Sequence, residues 1–136
     1  MTDTTQIQEF LDRVAADIVK RLHLQVTQVA KGEVTLLMPV AEALIHAGGM
    51  VCGQAILAAA DTAMLLAMVA QLGEYRPMTT VQLQTSFVRP VARGTTALTV
   101  IGRVLRPGKT LSYGEVHINL PDGKLAAHAT TTYALL

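Results

Sequence analysis

The sequence predicts an α+β fold in which an antiparallel sheet covers a long buried helix. Two observations lead to this prediction. Residues 55–70 form an apolar run of strong helix formers, interrupted only by Asp61 and Thr62. A helix that is apolar on all sides must be buried on all sides. On both sides of this helix lie short segments with alternating apolar and polar residues, separated by turns, which is typical of antiparallel strands.

The segments before the central helix predict a helix and a hairpin. Residues 4–22 carry apolar side chains at steps of three and four, which indicates an amphipathic helix. Residues 24–30 and 33–40 flank a Lys31-Gly32 turn and predict a β-hairpin. Residues 41–49 then form a loop whose two final glycines give it backbone freedom.

The segments after the central helix predict a run of strands. Arg106-Pro107-Gly108 and Pro121-Asp122-Gly123 are turn signals between β-branched, alternating stretches. We therefore expect an antiparallel meander formed by residues 79–88, 95–105, 109–120 and 124–136.

Composition limits the classes of function. A length of 136 residues predicts one domain, spanning residues 1–136. A 51% hydrophobic and only 15% charged composition suggests that a second copy covers part of the surface, so we expect at least a homodimer. A net charge of +1 gives no electrostatic case for nucleic acid or a membrane surface. A single Cys and an N-terminus without signal-peptide features predict a cytoplasmic protein.

The apolar run also has nearly the length of a membrane span. Asp61 argues against that alternative, because an Asp near the centre of a span costs about 2.5–3.5 kcal/mol on insertion scales. No cluster of Lys or Arg flanks either end of the run. A buried helix is the better interpretation.

Asp61 and Gly53 are the first candidate catalytic residues. A carboxylate on an apolar helix can be a general base, or it can be a structural group that is hydrogen-bonded to a Thr or to the backbone. Gly53 lies where the helix should begin, and free amides there can stabilise an oxyanion. It can equally be a helix-start glycine without a role.

Cys52 and His46 are further candidates near the helix start. A Cys52–His46–Asp61 nucleophile system is conceivable, because a helix N-terminus can activate a thiol. A buried Cys more commonly packs as a small hydrophobe. The remaining histidines (His23, His117 and His128) show no metal-ligand spacing.

Four segments resemble one known family in the right order. They are the stretch from Gly49 through Gly53 to Asp61-Thr62-Ala63, the strand end Ser86-Phe87-Val88-Arg89-Pro90, the turn at residues 105–111 and the last strand at residues 122–133. Together they resemble the hotdog-fold acyl-CoA thioesterases of the phenylacetic-acid-pathway type, from about Val26 to the C-terminus.

The resemblance implies a curved sheet wrapped around the central helix, a dimer with a continuous sheet, and pairing of dimers into a homotetramer. It implies a site at the dimer interface, with Asp61 as nucleophile or general base and the Gly53 amide polarising the thioester carbonyl. A Thr of the partner chain would position the water; Thr80 matches that position, and Thr79 is the neighbouring alternative.

The sequence departs from the family at three positions. Cys52 replaces the family's His, Gln54 replaces its second Gly, and His46 replaces a loop Asn that often contacts the site. Asp61 and Gly53 are retained, so activity can persist with altered carbonyl orientation, weaker turnover or a shifted substrate.

The resemblance predicts a hydrolase that converts an aryl- or medium-chain acyl-CoA to the free acid and coenzyme A, with no metal or redox cofactor. Met64 and Met68 are expected to line the acyl pocket. Lys109 and Arg106, with Arg89 nearby, are expected to contact the coenzyme A phosphates. The alternatives are a non-catalytic acyl-CoA-binding protein and a hotdog dehydratase or hydratase.

Overall fold

A six-stranded antiparallel sheet and one long helix make up most of the chain. The computed structural model describes residues 1–136. Its elements are α1 (Thr4–Val14), α2 (Asp17–Lys20), β1 (Gln25–Ala30), β2 (Glu33–Pro39), a 3-10 turn (Glu42–Leu44), α3 (Gly53–Leu72), β3 (Met78–Phe87), β4 (Ala97–Arg106), β5 (Leu111–Asn119) and β6 (Leu125–Leu135). The curved sheet wraps α3, so the predicted hotdog fold is confirmed.

The strand order is β1-β2-β4-β5-β6-β3. The β1–β2 hairpin and the β4–β5–β6 meander form as predicted, but β3 does not precede β4 within a meander. It lies at the sheet edge, where it pairs only with β6. Residues 88–96 carry the chain across to β4, which pairs with β2 and β5. Local sequence patterns do not specify such non-local pairing.

The central helix α3 contributes most of its side chains to the core. The sheet and α1 enclose it, and side chains such as Ala59, Ala63 and Leu66 are fully buried. One stripe of α3 is only partly covered; it contains Gln54, Leu57, Ala58, Asp61 and Leu65. Another molecule can reach the helix along this stripe.

Glycines in the sheet let α3 come very close. A Cβ atom at Gly102 would lie 2.6 Å from the backbone oxygen of Ala63, and one at Gly114 would lie 2.5 Å from Met64 Sδ. Real Cβ atoms essentially never make contacts that short. A side chain at Gly102 would therefore force the helix backbone away from the sheet, and one at Gly114 would displace the Met64 side chain and the neighbouring strand at Arg103.

The N-terminal helix is shorter than expected. The pattern predicted one helix over residues 4–22, but Ala15 and Ala16 adopt extended conformations and separate α1 from α2. Because α1 buries Ile7, Phe10 and Leu11, the chain has to turn before it can bring Leu22 into the core as well. Hydrophobic periodicity does not reveal this break.

By length and composition α3 could cross a membrane, since it has 20 residues with a mean hydropathy of 1.8 in its most apolar window. Of that window, 67% is buried inside the protein. Core helices of folded domains commonly pass the same test, and this helix has the surroundings of a core helix.

Candidate active site

Asp61 receives two hydrogen bonds at a single carboxylate oxygen. Thr80 Oγ1 donates to Asp61 Oδ1 at 2.7 Å, and the Tyr133 hydroxyl lies 2.7 Å from the same atom. The Tyr133 hydroxyl also lies 2.8 Å from the backbone oxygen of Asp61. No protein group is hydrogen-bonded to Oδ2, so one oxygen is held and the other is available for chemistry.

The strand register explains how this arrangement forms. Thr80 of β3 and Tyr133 of β6 are direct cross-strand partners on the face toward α3. The register shifts immediately after Thr80, so that Val81 bulges outward and is 58% exposed. Bulges of this kind re-aim side chains, and here Thr80 and Leu83 both face inward.

The Tyr133 side chain is only 4% exposed, although its hydroxyl is polar. Burial, together with the neighbouring Asp61 carboxylate, raises the pKa of the phenol well above its ordinary value. Tyr133 therefore stays protonated and acts as a permanent hydrogen-bond donor. Sequence reasoning missed this residue; the quoted last strand contained it, but only the β3–β6 register shows that it reaches Asp61.

Gly53 lies in a different part of the molecule, beside the end of β3. It is the first residue of α3 and borders an open cleft of about 320 Å³. A Cβ atom at Gly53 would lie 3.4 Å from Phe87 Cζ, so this part of the cleft is bounded by the Phe87 ring. The other lining residues are His46, Met50, Val51, Ile56, Phe87, Val88, Arg89, Pro90 and Val91.

A larger open cleft of about 440 Å³ lies between α1, α2 and β1. It contains none of the candidate catalytic residues. Cleft volume alone therefore does not identify the candidate active site. The smaller cleft at the start of α3 is the better candidate because it borders the free helix amides.

Within one chain, Gly53 and Asp61 are too far apart to act on the same carbonyl group. They are eight residues apart on α3, which is about 12 Å along the helix axis. A thioester carbonyl that contacts the Gly53 amide would thus be far from Asp61 of the same chain. The two halves of the expected chemistry occupy separate places on the protomer.

Cys52, His46 and Asp61 do not form a hydrogen-bonded triad. Cys52 is the N-cap residue of α3, and its side chain caps no amide. His46 Nδ1 accepts a hydrogen bond of 2.8 Å from the Gly48 N–H, and its ring borders the Gly53 cleft. Asp61 is held by Thr80 and Tyr133 instead. The geometry therefore gives no support to a Cys52 nucleophile.

Thr80 contacts Asp61 of its own protomer at 2.7 Å. The expectation that a Thr of the partner chain positions the water concerns two chains together, and it stays a prediction. Thr79 is exposed and points to the other face of β3. Alternation along a strand accounts for the difference between the two neighbours.

The residues expected to bind the substrate lie in two different environments. Gln54 is exposed on the free stripe of α3. Met64 and Met68 are 0% and 1% exposed and pack in the core against the sheet, so they do not line an open pocket as predicted. The pattern of an apolar helix could not distinguish the face toward the sheet from the free face.

The expected phosphate contacts lie at opposite ends of the sheet. Arg89 borders the Gly53 cleft and donates to the backbone oxygen of Leu125 at 2.9 Å. Arg106 and Lys109 are exposed around the β4–β5 turn. Leu111 at the start of β5 and Met78 at the start of β3 both pair with the end of β6. The β4–β5 turn therefore lies next to the start of β3. Since β3 is about 30 Å long, this turn cannot reach the Gly53 cleft of its own chain.

A family model, described as thioesterase superfamily, matches residues 48–127 of this chain. The match covers α3 with Gly53 and Asp61, the three strands β3 to β5 and the start of β6. The chain belongs to the thioesterase superfamily. The family resemblance inferred from the sequence motifs is thereby confirmed.

Two relatives match all or most of the chain. A Saccharolobus solfataricus protein, provisionally named an esterase, is 29% identical over 136 residues, which is 100% of this chain and 95% of the relative. A Thermoplasma volcanium protein with the same kind of name is 28% identical over 117 residues and covers 86% of each chain.

Solved structures share the fold of this superfamily member. The PaaI protein from the phenylacetic acid degradation operon of E. coli matches with a TM-score of 0.86 at 20% identity, over 98% of this chain and 93% of that one. A Streptococcus mutans protein solved with bound acetyl CoA matches with a TM-score of 0.77 at 19% identity, over 83% and 88%. At these identities the likeness shows the fold.

Proposed function

We propose that this protein hydrolyses acyl-CoA thioesters to a carboxylic acid and free coenzyme A. The observation that carries the proposal is the Asp61 carboxylate, which lies on the free stripe of an otherwise apolar helix. Thr80 and Tyr133 contact one of its oxygens, Oδ1, and no protein group is hydrogen-bonded to the other, Oδ2. A buried structural carboxylate would have both oxygens satisfied by the protein.

In the proposed reaction, Asp61 Oδ2 takes a proton from water, and the hydroxide adds to the thioester carbonyl carbon. Alternatively, Oδ2 attacks that carbon itself and water releases the acyl group afterwards. In both routes the carbonyl oxygen gains negative charge, which the Gly53 N–H at the start of α3 stabilises. The C–S bond then breaks, and the coenzyme A thiolate leaves and takes up a proton.

The two groups meet in a dimer. In each protomer β3 is an edge strand, with Asp61 and Thr80 near its beginning and Gly53 and Phe87 at its end. Antiparallel pairing of β3 with the β3 of a second copy places the beginning of one strand opposite the end of the other. Each site then combines Asp61 of one chain with Gly53 of the partner.

The same pairing brings positive charge to the cleft. The β4–β5 turn with Arg106 and Lys109 lies at the beginning of β3, so antiparallel pairing carries it toward the partner's Gly53 cleft. Arg89 already lies at that cleft. These three cations can contact the phosphates of coenzyme A, which remain distant from the reacting carbonyl. The superfamily neighbour solved with acetyl CoA supports a ligand of this chemical class.

A panel of acyl-CoA substrates with a thiol-trapping dye tests the proposal, with aryl and medium-chain members included. We expect turnover by the wild-type protein and loss of turnover in Asp61→Asn by at least about 10²-fold, a typical contribution of a general base. The Asn side chain can still accept from Thr80 and Tyr133, so the variant should fold and bind acyl-CoA. Thr79→Ala, an exposed neighbour of Thr80, is the matched control.

Binding of acyl-CoA by the wild-type protein without turnover of any panel member would contradict the proposal and support a non-catalytic binding protein. Release of water from a 3-hydroxyacyl thioester, without release of thiol, would identify a dehydratase instead.

A further inference from the structure

Three potential metal ligands converge on the outer face of the sheet, on the side away from α3. Glu115 and His117 are two residues apart on β5 and therefore project from the same face. His128 of β6 is the direct cross-strand partner of His117. The sequence spacing gave no sign of a metal site, because the third residue comes from another strand and only the register brings it near.

The three side chains point at one another. His117 Nε2 and His128 Nε2 lie 3.1 and 2.9 Å from the same atom, Glu115 Oε1. All three possible ligand atoms lie within 4.8 Å of one another. In a tetrahedral zinc site with bonds of about 2.1 Å, ligand atoms are separated by about 3.4 Å. Small side-chain movements would therefore place all three around one ion.

We propose that Glu115, His117 and His128 form a binding site for a divalent transition metal ion, with Zn²⁺ as the preferred occupant. Two imidazoles and one carboxylate are a ligand set that zinc accepts, and a water molecule completes the tetrahedron. The side chains are 20% to 38% exposed, so the ion can enter directly from solvent.

The charges at the site favour a cation. The Glu115 carboxylate supplies a negative charge and already contacts both imidazoles through Oε1. A carboxylate only accepts hydrogen bonds, so each Nε2 carries a hydrogen in the metal-free form. Metal binding shifts each hydrogen to Nδ1 or releases it, and the ion takes the place of the two N–H donors.

Arg103 is the one nearby group that opposes a cation. Its Nη1 lies 3.7 Å from Glu115 Oε2, whereas its Nη2 pairs with Glu33 at 2.8 Å. The guanidinium is thus mainly held by Glu33, and it faces the carboxylate oxygen that the histidines do not use. Oε1 remains directed at both imidazoles.

This site is separate from the proposed thioesterase chemistry, because Asp61 lies on the inner side of the sheet. Binding can therefore be measured without any activity assay. Untagged protein, freed of metal with a chelator, is titrated with Zn²⁺ by calorimetry and with Co²⁺ by visible absorption. We expect about one ion per chain and Co²⁺ bands typical of low coordination number.

Variants localise the site. His117→Gln, His128→Gln and Glu115→Gln should each lose stoichiometric Zn²⁺ binding and the Co²⁺ bands, while circular dichroism confirms the fold. His23→Gln, which alters an exposed histidine away from the cluster, is the matched control and should bind normally. Cys52→Ala tests the other potential zinc ligand and should also bind normally.

Two results would overturn the proposal. One is failure of the folded wild-type protein to bind either metal with one-to-one stoichiometry. The other is binding that survives in all three folded cluster variants, or that disappears in Cys52→Ala, since the ion would then be held elsewhere.

Discussion

Thr80 and Tyr133 face each other across the β3–β6 ladder, and their hydroxyls meet at the same oxygen of Asp61, each at 2.7 Å. One cross-strand pair thus orients the only carboxylate of α3. Because a rigid pair of strands carries both donors, the Asp61 side chain is held in one orientation before a substrate binds. The register between β3 and β6 is therefore part of the proposed catalytic geometry.

Removing either hydroxyl should reduce turnover. Hydrogen bonds to charged groups contribute about 1.5–3 kcal/mol, so we expect Thr80→Val and Tyr133→Phe each to lower kcat about 10- to 100-fold. Steady-state kinetics on one acyl-CoA measure the effect. Thr79→Val, which changes the outward-facing neighbour in the same way, should keep wild-type kcat. If Thr80→Val and Tyr133→Phe kept the wild-type kcat, as Thr79→Val should, the action of Asp61 would not depend on these two donors.

Tyr133 should also affect stability in alkaline solution. Its pKa is raised in the folded protein, so its contribution to stability is fully present below the unfolded-state pKa of about 10 and is lost as pH rises above it. Above pH 10, the unfolding free energy of the wild-type protein should fall by about 1.4 kcal/mol per pH unit from this group. Denaturant unfolding at several pH values measures the slope.

In Tyr133→Phe this component of the slope should be absent. Tyr113→Phe is the control, because Tyr113 is 42% exposed. A slope that is the same in wild type and Tyr133→Phe would mean that the Tyr133 phenol ionises as easily in the folded chain as in the unfolded one.

Sharing of the site between two chains predicts complementation. Gly53→Pro removes the proposed oxyanion donor, the Gly53 N–H. Proline is well tolerated at the first position of a helix. Cys52 already has φ −68° and ψ 146°, the extended conformation that a residue before proline favours. Gly53→Pro and Asp61→Asn should each be inactive alone. When they are co-expressed, half of the dimers are mixed and each holds one intact site, so about a quarter of wild-type activity should return.

Co-purification through two different affinity tags isolates the mixed dimer. If the activity does not return although mixed dimers are present, Gly53 and Asp61 do not act on the same substrate from different chains.

Lys109 should act on binding rather than on chemistry. If the β4–β5 turn contacts the phosphates of coenzyme A, Lys109→Ala raises KM for acyl-CoA severalfold with little change in kcat. A short thioester without the nucleotide should show no difference between the variant and the wild-type protein. Lys20→Ala, at the exposed end of α2 and away from the residues that line the Gly53 cleft, is the matched control. Equal losses on both substrates would reject the phosphate contact.

Cys52 should be dispensable for the reaction. It is half-buried at the start of α3, and no histidine or carboxylate is hydrogen-bonded to its thiol. We expect Cys52→Ala to keep a substantial part of kcat, and Cys52→His to match or exceed the wild type, because a His ring at this position can donate to the thioester. Mass spectrometry of the protein during turnover should find no acyl group on Cys52. An acylated Cys52 would instead identify it as the nucleophile.

The sequence was sufficient for the main elements of the fold and for two candidate site residues. The all-apolar helix, the β1–β2 hairpin and the β4–β5–β6 turns are encoded locally, by residue type and periodicity. Asp61 stood out because a carboxylate is costly on such a helix, and Gly53 because it lies where the helix begins. These signals do not depend on any distant part of the chain.

What the sequence did not reveal depends on pairing between distant strands. The edge position of β3, the Tyr133 contact with Asp61 and the Glu115–His117–His128 cluster all follow from which strands are neighbours and in what register. Met64 and Met68 were misplaced for a related reason. Periodicity cannot show which side of an all-apolar helix faces the sheet.

The glycines beneath α3 determine which part of the protein can be altered to change the substrate. Because the backbone of the helix rests almost directly on Gly102 and the side chain of Met64 rests on Gly114, the layer between helix and sheet has no spare volume. Changes there would reduce stability before they altered selectivity. Selection for new acyl groups would therefore act on the opposite side of the helix, at Gln54, Leu57 and Ala58, where side chains can vary in size without disturbing the scaffold.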